Sequence, residues 1–201
     1  DSHYIDNSSM LRSGDLLLTD AACEYKNYAS DITRTIPING KYTEDQKLLY
    51  NIVLKAQAKA IEACVIGNTL QNIHAIAVKV ICKGLINLGL INTSYKKAMD
   101  QELYKKFYMH NTGHWLGLDV HDPSEYKEDK ELVKLKAGMI FTVEPGLYIR
   151  AHKSVSKRFH NIGIRIEDDI LVTTKGPEVL TSNVPKSIKE IENLMSGSSS
   201  G

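Results

Sequence analysis

Cysteine is scarce in this 201-residue chain, and Cys23, Cys64 and Cys82 offer neither a metal-ligand pair nor a complete set of bridges. That scarcity excludes a disulfide scaffold and leaves small buried or half-buried thiols in a reducing compartment as the expectation. Long apolar runs are also missing. None approaches the ~20 residues that span a bilayer, so no membrane segment is expected. Neither charge sign is in excess: Lys+Arg 25 against Asp+Glu 24 leaves +1, which gives no basic field for collecting nucleic acid. The pairs Lys96-Lys97 and Lys105-Lys106 read as solvated helix faces. The chain opens without an initiator methionine, which points to a start upstream of Asp1, and residues 196–201 read as a flexible tail. The remaining composition, 42% hydrophobic and 24% charged, is that of one globular domain with a sizeable core.

Turn signals and periodicity organise that core. Residues 15–20 follow Ser13-Gly14 as a buried strand, and residues 28–38, rich in β-branched side chains, read as its partner. Thr43-x-x-Gln46 has the form of a capping box. It precedes Leu48, Leu49, Ile52, Val53, Ala56, Ala60, Ile61 and Cys64 at helical spacing, with the stop expected at Gly67. A second helix is expected over 69–88, with Ile73, Ile76, Ala77, Val80, Ile81 and Leu85 on its apolar face and Gly89 beyond its end. A shorter, mostly charged helical stretch covers 98–107. Strands return over 139–149 and 163–173, where period-two alternation puts Arg165 and Glu167 on one face.

Four segments bring acids and an imidazole to what reads as one metal centre: TDAACEYKNYASDITRT, HNTGHWLGLDVHD, FTVEPGLY and GIRIEDDI. They offer Asp20, Asp31, His114, Glu144 and Glu167, a set of four carboxylates and one imidazole that suits two divalent cations better than one. Such cations ~3.5–4 Å apart repel each other, so shared carboxylates are needed to clamp them. Mostly oxygen ligands favour a hard or borderline ion such as Mn²⁺, with Co²⁺, Fe²⁺ and Zn²⁺ as alternatives. Taken singly, Asp20 and Asp31 would pass for turn or strand-end residues. Glu144 differs, because it follows the apolar Phe141-Thr142-Val143, and burying it without a cation would be costly. Asp168 and Asp169 read as solvent-facing or supporting groups. His74, His152 and His160 read as surface or packing residues, and Trp115 as packing beside the pocket.

The four segments, in this order, closely resemble the pita-bread metallopeptidases and, within them, the aminopeptidase P branch of Xaa-Pro aminopeptidases. The resemblance implies an α+β fold in which helices lie outside a curved antiparallel sheet. Over residues 1–195 it implies a catalytic domain whose first part, the leading helices and strands, is missing, with lowered stability, self-association through exposed surface and weak or no activity. It also implies that Asp31 and Glu167 bridge two ions, most simply manganese, while Asp20 completes one ion and His114 and Glu144 the other. By the same resemblance His121 faces the oxyanion, His110 contacts substrate near the scissile bond, and Glu144 doubles as a proton carrier. His3 and Tyr148 then line the pocket, and Arg165 orients carboxylates. One departure is Asp20-Ala21-Ala22, where the family commonly carries a glycine. The implied activity is removal of the N-terminal residue from peptides with proline second, in the cytoplasm, with proline-containing peptides as partners and homo-oligomerisation left open. Prolidase, restricted to Xaa-Pro dipeptides, is the nearest alternative. A non-catalytic binding module or an inactive fragment is the other, and retention of all five candidate ligands argues against the module.

Overall fold

The computed structural model describes residues 8–123 and 125–197. Leu16–Ala21 (β1) runs antiparallel to Ile32–Pro37 (β4), pairing Asp20 with Thr33 and Ala21 with Ile32. Between them Glu24–Tyr25 (β2) and Tyr28–Ala29 (β3) form a small hairpin turned by Lys26 and Asn27 at positive φ. The strand expected over 28–38 is therefore interrupted. The Ser30 N–H turns back to the Cys23 carbonyl at 2.9 Å, and Asp31 re-enters the ribbon beside Asp20.

Thr43 caps Glu44–Glu62 (α1): its hydroxyl accepts the Gln46 N–H while the Gln46 side chain accepts the Thr43 N–H, the reciprocal pairing its spacing predicts. The helix buries Leu49, Tyr50, Val53, Ala56 and Ala60, but Leu48 turns to solvent. It ends at Glu62 rather than Gly67. Gly67 instead takes φ +86° in the turn that follows, where its N–H reaches the Leu135 carbonyl. Leu70–Asn87 (α2), capped by Thr69, buries Ile73, Ala77, Val78, Ile81, Cys82 and Leu85, with Ile76 and Val80 half-buried at its margin. The two helices approach closely at Gly84, where a Cβ would lie 2.7 Å from Ile52. The stretch over 98–107 resolves into Tyr95–Asp100 (α3) and a 3₁₀ turn, Leu103–Lys106, with Ala98 and Tyr104 buried beneath the charged groups.

Lys127–Glu128 (β5) and Glu131–Leu132 (β6) form a second hairpin. The later strands are Ile140–Val143 (β7), Gly146–Ile149 (β8), Ile162–Arg165 (β9), Asp168–Thr173 (β10) and Gly176–Val179 (β11). β10 lies between β11 and β7, while β8 pairs with β9. Both strands expected here, over 139–149 and 163–173, are broken. Pro145 has no N–H for a ladder, and its carbonyl accepts the Ile166 N–H. The Glu167 N–H then crosses to the Thr33 carbonyl at 3.1 Å, so the chain changes partner between β9 and β10. These crossings, with β9 packed beside β1 and β4, bring the β8/β9 pair and β10 against the β1/β4 ribbon. α1 packs against β7, β8 and β9, and α2 packs on α1, so the helices share one core with the sheet. A capped helix, Ile188–Met195 (α4), closes the described chain, with Ser196 as its C-cap; the rest of the expected tail, 198–201, lies outside the described residues.

Candidate metal centre

The segment after α3 acts as a further strand. The Glu144 N–H donates to the Thr112 carbonyl at 2.7 Å and the Thr142 N–H to the His114 carbonyl at 2.9 Å, while Trp115 bridges Phe141. Gly113 is required for this approach, because a Cβ there would lie 1.8 Å from the Thr142 carbonyl oxygen. His114 and Glu144 are thereby held side by side. From the opposite direction the β1/β4 ribbon delivers Asp20 and Asp31, and the crossing between β9 and β10 delivers Glu167.

All five donors meet in one pocket of about 480 Å³, whose lining also includes His110, His121 and Arg165. His114 Nε2 lies 3.5 Å from Asp31 Oδ2 and 3.8 Å from Glu144 Oε1. Its Nδ1 is 3.0 Å from the Trp115 carbonyl, an acceptor that places a proton on Nδ1 and turns Nε2 toward the acids. Three overlapping groups each bring their donor atoms within 4.8 Å: Asp31 with His114 and His121, His114 with Glu144 and Glu167, and Asp20 with Asp31 and Glu167. Arg165 pairs with Asp20 and donates through Nε to Thr33 Oγ1 at 3.0 Å; Thr33 in turn donates to Glu167 Oε2 at 2.5 Å.

The electrostatics follow from this crowding. Burial, reinforced for Glu167 by neighbouring carboxylates, pushes Glu144 up to about 7 and Glu167 up to about 8. Burial raises Asp20 as well, against Arg165. Asp31 is held low despite its burial by hydrogen bonds from His114 and Asp20. Burial opposes the proton on His114, yet Asp31, the Trp115 carbonyl, Glu144 and Glu167 outweigh it and raise the imidazole to about 9. Four carboxylates thus crowd around the Arg165 guanidinium and the His114 imidazole. The donor set fits divalent cations, which would relieve the repulsion and displace the held protons.

A pH dependence follows. The folded, chelated chain holds protons on Glu144 and Glu167 that an unfolded chain releases from 4.5 upward, and one on His114 that an unfolded chain releases from 6.5 upward. Their contribution to stability is present below those values and is lost as pH rises to about 8 and about 9. Thermal unfolding in chelator is therefore expected to give a Tm that falls from pH 7 to pH 9, above the range in which His110 and His74, both depressed by burial, act in the opposite sense, with added divalent ion raising Tm most at the alkaline end. A Tm in chelator that climbs over that interval would contradict the proton placement.

Comparison with known proteins decides the family. The model of Peptidase_M24, metallopeptidase family M24, matches residues 1–174. The chain belongs to metallopeptidase family M24. Among M24 relatives, the Xaa-Pro aminopeptidase of Haemophilus influenzae is 47% identical over 96% of the chain and 45% of its own length. That of Escherichia coli K12 is 44% identical over 96% and 44%. In solved structures, the Pseudomonas aeruginosa aminopeptidase superposes with a TM-score of 0.95 at 46% identity, covering 99% of this chain and 45% of that one. A zinc-substituted Escherichia coli aminopeptidase P in complex with product gives 0.93 at 43%, covering 99% and 45%. The chain thus has the pita-bread fold of the M24 enzymes in part and spans under half the length of these relatives.

Against this M24 frame the structure brings Asp20, Asp31, His110, His114, His121, Glu144 and Arg165 into one pocket with Glu167, and sets Tyr148 beside it, its hydroxyl 2.9 Å from His110 Nε2. His3 lies outside the described residues. Asp168 and Asp169 do not face solvent. Asp168 is fully buried and held by Arg34, Lys186, Gln57 and Thr181, while Asp169 accepts the Asp31 N–H at 3.2 Å. Cys23 is exposed, unlike buried Cys64 and Cys82. Thr33, which links Arg165 to Glu167, is marked by none of the four motifs' acids or histidines. Its position two after Asp31 on a period-two strand was the available signal.

Proposed function

We propose that this chain carries the catalytic centre of an Xaa-Pro aminopeptidase, a metal-dependent hydrolase that releases the N-terminal residue from peptides with proline second. The observation that carries the reading is the convergence of four carboxylates and His114 from four separate segments, with His110 and His121 on the same walls. The relatives named above supply the substrate class. Asp20, Asp31, His114, Glu144 and Glu167 would hold two ions, with Asp31 and Glu167 shared. Bound divalent ions supply Lewis-acid polarisation of a carbonyl and a water-derived nucleophile at neutral pH. The oxygen-rich set favours Mn²⁺.

The protein's own groups divide the remaining work. His121 meets the His114 ring edge-on at 4.3 Å between centroids and is exposed toward the pocket mouth, where it can donate a hydrogen bond to a developing oxyanion. Burial holds His110 down to about 4, so it stays a neutral hydrogen-bonding group against substrate. To Glu144, beside His114, we assign the transfer of a proton to the departing amine. Arg165 orients Asp20, through a direct ion pair, and Glu167, through Thr33. The unbridged thiols suit a reducing compartment, and we place the protein in the cytoplasm.

A length series of Xaa-Pro, Xaa-Pro-Xaa and longer peptides, assayed with Mn²⁺, tests the activity. The expected result is turnover that extends to tripeptides and beyond. Turnover of dipeptides alone would make it a dipeptidase, and no turnover by a metal-loaded chain would remove the assignment from this chain.

A further inference from the structure

Tyr108, His110, Thr112 and His114 recur at every second position of the segment that runs beside β7. His114 belongs to the metal centre, and His110 faces the same pocket. The other two residues are fully buried and face a different partner. The Thr112 hydroxyl sits 2.6 Å from the Tyr108 hydroxyl and 2.8 Å from Nδ1 of His74, which projects from the second turn of α2. Threonine has one proton to give and lone pairs to receive. If His74 donated to Thr112 and Thr112 to Tyr108, the buried tyrosine proton would be left without an acceptor in this set, which is costly. The arrangement that satisfies every proton runs the other way. Tyr108 donates to Thr112, and Thr112 donates to the bare Nδ1 of a neutral His74.

This chain ends on both halves of the site. The Tyr108 ring meets the His110 ring at 5.0 Å and 85°, while His110 is also held through Nε2 by the Tyr148 hydroxyl and through Nδ1 by the Asn111 carbonyl at 2.7 Å. The Thr112 carbonyl accepts the Glu144 N–H. We propose that His74, Thr112 and Tyr108 form a positioning relay that anchors the strand to α2 and, through the Tyr108 ring, fixes the ring orientation of His110. The relay deepens the peptidase reading, since His110 is the group that reading places against substrate. None of its three members touches the reacting atoms.

The test is histidine ring ¹⁵N NMR on the chelated chain, which needs neither metal nor turnover, so failure of the peptidase reading leaves it intact. The intact chain is expected to show His74 as the Nε2–H tautomer and His110 as the Nδ1–H tautomer. Tyr108→Phe removes one oxygen and keeps the ring. It and Thr112→Val should both shift the His110 ring signals as the ring loses its fixed position, and Thr112→Val should also release His74. Thr112→Ser, which restores the hydroxyl, should return both signatures. If Thr112→Val fails to fold, Tyr108→Phe and Thr112→Ser decide the matter. A folded Tyr108→Phe chain with unchanged His110 signals, or an intact chain with His74 protonated at Nδ1, would overturn the relay and leave these residues as core packing.

Discussion

Replacing Asp31 by asparagine is expected to reduce bound Mn²⁺ from two ions per chain to none at concentrations that saturate the unaltered chain, with the fold retained. Asp31 shares a donor group with Asp20 and Glu167 and also lies 3.5 Å from His114 Nε2, so it stands between the two sides of the centre. It is buried, its N–H is fixed by Asp169, and its carboxylate is the one held low in pKa. Asparagine keeps the volume but removes the charge that would neutralise two adjacent cations. Elemental analysis after gel filtration, with circular dichroism for the fold, measures this. Retention of both ions would show that Asp31 is not shared between them.

His121→Ala is expected to separate binding from turnover. The His121 ring lies against His114 and is exposed, and it is not among the five residues assigned as ligands. Metal content should therefore be nearly unchanged. Turnover should fall by about 10²–10³-fold, the ~2.7–4 kcal/mol that loss of one oxyanion donor typically costs. Loss of metal in this variant would make His121 a ligand and reassign the oxyanion role.

The contrast between these two residues bears on what a linear sequence can reveal. Thr43 and Gln46 are three apart, and their mutual capping is a local event, so both the spacing and the structure give the same answer. Asp20 and Asp31 are also legible, since both lie at the end of a two-stranded ribbon. The breaks at Pro145 and between Ile166 and Glu167 are not, because an apolar alternating run looks the same whether it keeps one partner or changes partners midway. The change depends on Thr33, more than 130 positions from the residues it serves. Asp168 illustrates the same limit. An aspartate in a row of acids reads as solvated until Arg34 and Lys186 arrive from distant segments to neutralise it. Leu48 shows the reverse, where helical periodicity offers a wider apolar stripe than the packed core takes up.

The claim on which the rest depends is that these four segments form a two-ion centre, and anomalous scattering from crystals of the chain saturated with Mn²⁺ tests it most directly. The account predicts two peaks ~3.5–4 Å apart, enclosed by Asp20, Asp31, His114, Glu144 and Glu167. A single peak, peaks elsewhere, or no peak in this pocket under saturating metal would contradict it.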